Sequence, residues 1–260
     1  MIETFSTRIN ALISEGVLAQ TVRLPGRFLN AQWRLNTQIG KVSREWNRAR
    51  HELADVGLLY APESETDDGY LDQIELQIAV LPSISEAGYV YESTGFKEKL
   101  LGYRPGVIYL PRDLPYQAYV PGGTLVDVIR HEYAHAWHWL EPEFFEQPWF
   151  YKAFGGSYDD GETVPSEVWV EKMASSRSFR SRLNACRNER EVNALWTRLF
   201  RKEFVSEYAS TLICEDFAES FMTYLRCRRS LEKFKSRAGV YRKLKAVEKA
   251  VAQARLELGT

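Results

Sequence analysis

Cysteine and histidine are both scarce in this chain, and the scarcity excludes several classes of protein at once. The three cysteines, Cys186, Cys214 and Cys227, make an odd count with no CxxC pair. That rules out a zinc ribbon built on paired cysteines and offers no disulfide framework. No apolar run approaches the roughly 18 residues that a membrane-spanning helix needs. The amino-terminal stretch MIETFSTRINALISEGVLAQ also lacks the basic start and apolar run of a secretory signal. The expectation is a soluble protein of the cytoplasm, or one exported without a cleavable signal. Charge of one sign is not in excess either: 34 Lys+Arg face 35 Asp+Glu, a balance that singles out no nucleic acid or other polyanion as partner. What is plentiful is ordinary: hydrophobic residues at 45% of the chain are enough to build a real core.

Along the chain, residues 27 to 58 have helical spacing with charges outward and predict a long surface helix with a kink near Gly40. The polar APESETDDG at 61–69 marks a boundary, dividing a helical extension over 1–60 from a main domain over 61–260. Strand-like runs follow at 73–81, 88–93 and 106–111, separated by Pro and Gly. FGGSYDDGE at 154–162 reads as a flexible surface loop, and from about 167 onward the pattern is helical. Strands first and helices afterwards predict an α+β fold.

The four histidines are the anomaly, because His131, His135 and His138 fall within eight residues. They lie in TLVDVIRHEYAHAWHWL, a predicted helix that Thr124 and Asp127 are spaced to cap. One face collects Thr124, Asp127 and the three histidines, and the other Val126, Ile129, Tyr133, Ala136, Trp137 and Leu140. His131 and His135 are one turn apart and can reach a single tetrahedral ion from the same side. Glu132 lies about 100° round the helix, where it can take a proton from water polarised by the metal. This is the logic of the HExxH motif. His138 is a poor third ligand, being about 10.5 Å along the axis from His131.

A better third ligand lies downstream in EYASTLICEDFAESFMTYL, where Glu215 and Glu219 stand at i and i+4 on one face of an otherwise apolar helix. Buried carboxylates need partners, and a cation and a metal-bound imidazole would satisfy both. Glu215 is therefore expected to bind the ion and Glu219 to accept from a histidine N–H. Glu207 and Asp216 are the fallback ligands. Cys214 points away from this face and reads as core.

HEYAH followed by Y-x6-EDFAE resembles the gluzincin peptidases, most closely the catalytic domain of anthrax lethal factor and its relatives, including the Pro-Pro endopeptidases. The resemblance covers roughly residues 105 to 225 in order and spacing and rests on about a dozen positions. It implies a zincin-like fold with a small sheet ahead of the active helix, one zinc ion, and protein or peptide substrates. It also implies that Tyr208, seven residues before Glu215, contributes to catalysis. A straight helix would hold the two about 10.5 Å apart, so Tyr208 is expected in a loop, with the helix starting near Ser210 or Thr211, both good caps.

The expected function is thus a zinc endopeptidase with Glu132 as base and Tyr208 steadying the oxyanion. The strand at 106–111, or an earlier one, is a candidate to pair with extended substrate. The rival expectation is a non-hydrolytic, zinc-stabilised binding protein that uses the basic carboxy-terminal helices. Residues 226–245 hold nine Lys/Arg against one Glu.

Overall fold

A computed structural model describes residues 41, 44–58, 77–81, 88–90, 107–111 and 123–257. The polar stretch at 61–69 and most of the expected amino-terminal extension lie outside the described residues. The described elements are a helix over 44–55 (α1), strands β1 (Gln77–Leu81), β2 (Gly88–Val90) and β3 (Val107–Pro111), and a helical remainder. That remainder comprises α2 (Leu125–Leu140), α3 (Pro142–Phe145), α4 (Pro148–Phe154), α5 (Pro165–Ser175), α6 (Arg177–Asn184), α7 (Glu189–Glu203), α8 (Ile213–Cys227) and α9 (Ala238–Glu257). Short 3-10 turns at Tyr208–Ser210 and Arg228–Phe234 flank α8.

The α+β, zincin-like expectation is corrected by these elements. Helix dominates the described residues, and strand is confined to segments of five, three and five residues. Among the described residues the strands are short, whereas the helical pattern continues from residue 125 to 257. The substrate-pairing expectation for 106–111 also fails. β3 runs parallel to β1 on one side and antiparallel to β2 on the other, so both of its edges are taken.

The chain divides into two compact units. The first is Met1–Asp55 with Leu59–Glu132, and the second is Val56–Leu58 with Tyr133–Thr260. In the first unit, α1 is more than a surface helix: Ala49 and Leu53 are fully buried. Its Glu52 grips the buried Arg130 in a fork, with Nε at 2.7 Å and Nη2 at 2.6 Å. Arg130 also pairs with Asp127 on its own helix. Asp127 in turn accepts from the Thr124 backbone N–H and hydroxyl at 3.0 and 2.9 Å, the acid-to-cap bond that the spacing predicts.

In the second unit, α8 packs against α9, α4 and the Tyr208–Ser210 turn. Its Phe217 is fully buried among Trp137, Phe145, Phe150, Phe154, Tyr158 and Phe221, with ring centroids 4.9 to 6.1 Å away. Each such pair adds about 0.5–1.5 kcal/mol beyond burial. A smaller cluster of Phe179, Leu195 and Leu199 holds α6 to α7, joined by Trp169 and Met173 of α5. Asp216, 1% exposed, meets Lys243 of α9 at 2.6 Å. Lys243 also donates to the Glu203 carbonyl at 3.0 Å and lies over the Phe204 ring. Burial pushes the Asp216 carboxyl up to about 6 despite the ammonium beside it.

Breaking this pair from one side leaves a buried charge alone. Lys243→Met should cost about 3–5 kcal/mol, and Lys243→Met combined with Asp216→Leu should recover most of the loss. Denaturant unfolding of the two variants measures both, and equal losses would show that the pair itself matters little.

Candidate metal centre

Helix α2 carries its motif in unusual surroundings. The apolar face is buried as expected, with Val126, Ile129, Tyr133, Ala136 and Trp137 almost inaccessible, but Asp127, Arg130, His131 and Glu132 are buried too. Buried ionisable groups are rare unless paired, and Asp127 and Arg130 have their partners in the fork just described. Burial on both sides of its first half leaves the His131 imidazole little room to turn.

Helix α8 supplies the carboxylate. It begins at Ile213, with Leu212 as its extended N-cap residue, slightly later than Ser210 or Thr211. Those hydroxyls are engaged backward instead: Ser210 donates to the Glu207 carbonyl at 2.7 Å and Thr211 to the Tyr208 carbonyl at 2.8 Å. The 3-10 turn that results does keep Tyr208 off the helix. Its side chain is 51% exposed.

One donor atom from each of His131, His135 and Glu215 lies within 4.8 Å of the others. The His135 Nε2 to Glu215 Oε2 separation is 3.6 Å, too long for a hydrogen bond. Two ligands on a tetrahedral ion with bonds of 2.0–2.1 Å sit about 3.3 Å apart. Two imidazoles and one carboxylate at such separations can hold a divalent ion and leave a fourth position for water. Glu132 follows His131 directly and is 5% exposed. Glu219, one turn beyond Glu215, is buried.

The other candidate ligands go elsewhere. Asp216 is taken by Lys243, and Glu207 is exposed beside the 3-10 turn. Burial and the neighbouring Glu215 push the Cys214 thiol up to about 12, so it stays protonated. His138 lies against the Tyr158 ring, centroids 3.6 Å apart and planes within 8°, with Asp159 Oδ2 at 3.6 Å. Burial holds its imidazole down at about 4 against the pull of Asp159, so it is neutral at pH 7.

Sequence reasoning missed Tyr158, whose hydroxyl lies 2.6 Å from His135 Nδ1. It sits in the segment expected to be a flexible loop, yet it is buried. Gly155 ends α4 in the left-handed region at φ 92°. A side chain on Gly156 would meet Ile213 Cδ1, so glycine lets the loop approach α8 closely without moving that side chain. Asp160 then ties the exit, accepting from the Thr163 N–H at 2.8 Å and the Glu162 N–H at 3.1 Å.

Comparison with protein-family models, with curated proteins and with solved structures finds no match in any of the three. The site therefore stands on its own chemistry. The purified protein should bind one equivalent of zinc in a chelator-competition titration. His131→Ala, His135→Ala and Glu215→Ala should each weaken binding by more than about 100-fold, beyond the cost of losing an outer partner, while His138→Ala should stay within about tenfold. A His138→Ala loss as large as the others would redraw the ligand set.

Proposed function

We propose that this chain is a zinc-dependent endopeptidase of the gluzincin type. The observation that carries the reading is the convergence of His131, His135 and Glu215, with a glutamate directly after the first histidine. A purely structural site needs neither that glutamate nor an open position.

When bound, zinc supplies an electrophile that polarises the scissile carbonyl and acidifies water. Glu132 removes a proton from the attacking water and returns it to the amide nitrogen as the C–N bond breaks. Glu219 steadies a ligand imidazole by accepting its N–H. Tyr208, on the turn before α8, donates to the developing oxyanion, a contribution commonly worth about 3–4 kcal/mol.

The rival reading, a zinc-stabilised binding protein acting through basic carboxy-terminal helices, draws less support. Several of those charges are engaged within the chain. Arg237 donates to the carbonyls of Arg201 and Phe204, Arg242 to Glu203, and Arg228 to the Leu225 carbonyl. No helix among the described residues is long and apolar enough to cross a membrane.

On a peptide library, Glu132→Gln should lower turnover by about 10²–10⁴-fold at unchanged zinc stoichiometry. Tyr208→Phe should lose about 10²–10³-fold in kcat. Residual cleavage by Glu132→Gln equal to that of wild type would remove the enzyme reading.

A further inference from the structure

Tyr158 belongs to neither the HExxH segment nor the α8 segment, yet it touches a proposed ligand directly. We infer that it is a positioning residue: its phenol oxygen accepts the His135 Nδ1–H and so directs Nε2 toward the metal. The inference rests on the zinc reading above and adds a residue to it.

Three independent contacts fix the hydroxyl in place. The ring lies flat against His138, with the centroids 3.6 Å apart. It meets Phe145 and Phe217 edge-on, at 5.6 and 6.0 Å. The loop that carries it is pinned at both ends, by the Gly156 approach to Ile213 and by the Asp160 turn. A hydroxyl so held cannot follow a wandering imidazole, so the imidazole must orient to it.

An imidazole has two nitrogens, and the proton on one fixes the lone pair on the other. Nδ1 of His135 faces Tyr158 at 2.6 Å while Nε2 faces Glu215 at 3.6 Å. The first distance is a hydrogen bond and the second suits two ligands of one cation. A proton on Nδ1, donated to the phenol, leaves the Nε2 lone pair for the metal. The same loop also rests on Ile213 at the start of the helix that bears Glu215. A single loop thereby indexes a ligand on α2 and a ligand on α8.

A phenol is neutral where outer partners of metal-bound histidines are often carboxylates. It orients the ring with little added negative charge, which leaves the ion a stronger electrophile.

The test uses the full chain and zinc alone. Tyr158→Phe keeps the stack on His138 and removes only the oxygen. Its zinc Kd, from chelator competition, should rise about 10–100-fold with an unchanged unfolding curve. In the zinc-loaded wild type, a slowly exchanging ring N–H proton should be visible by NMR, absent from His135→Ala and lost to exchange in Tyr158→Phe. A Kd within about twofold of wild type, or a ring N–H equally protected in Tyr158→Phe, overturns the inference and leaves the zinc reading intact. Failure of the wild type to bind zinc overturns both. If Tyr158→Phe shifts the unfolding curve, Tyr158→Trp, which also keeps an aromatic on His138, should show the same rise in Kd; wild-type affinity there counts against the role.

Discussion

The rotation of one helix about its axis is the constraint on which the proposed chemistry depends. Glu215, Asp216 and Phe217 are consecutive, so they project about 100° apart into three different environments. Glu215 faces His135, Asp216 the ammonium of Lys243, and Phe217 a packed ring of aromatics. Two of these three are anchors that tolerate little error. A buried charge must keep its partner, and a phenyl ring must keep its slot. Together they leave the carboxylate of Glu215 a single direction. The face of α8 that carries Glu215 is thus oriented by residues outside the candidate cluster.

The corresponding device on α2 is Arg130. Its guanidinium forks onto Glu52 and pairs with Asp127, one residue before the first histidine of the motif. Both helices of the proposed site therefore carry a buried ion pair immediately beside a residue of the His131, His135 and Glu215 cluster. Such pairs contribute little net stability. Each pair holds its helix at one rotation, since the buried charge keeps its partner.

Much of the site was legible in the sequence because its information is local. The i, i+4 spacing of His131 and His135 places them on one face wherever the helix packs, and Glu215 stands out because a carboxylate in an apolar helix needs a partner. Thr124 and Asp127 announce the start of α2 for the same local reason. Residues whose roles depend on distant partners were not legible. Asp216 is indistinguishable from a ligand until Lys243 arrives beside it from α9. Tyr158 sits among glycines and aspartates that read as solvated loop, and only tertiary packing turns its ring onto His138. Ser210 and Thr211 are good caps by type, but their hydroxyls bond backward into the 3-10 turn, so α8 starts later. The α+β expectation gives way because alternating runs mark where strands can form but not how much of the chain they make up, and helix makes up most of the described residues.

The Glu52–Arg130 fork also bears on how this protein can be handled in pieces. Residue 52 precedes the polar stretch at 61–69, a natural place to cut when designing a shorter recombinant product. Such a truncation removes one of the two carboxylates that hold a guanidinium only 3% exposed, leaving Asp127 as its partner within the helix that bears the histidines. The shortened polypeptide would keep only half of that cation's counter-charge, so poor yield from it would bear on this ion pair and would say nothing against the proposed chemistry.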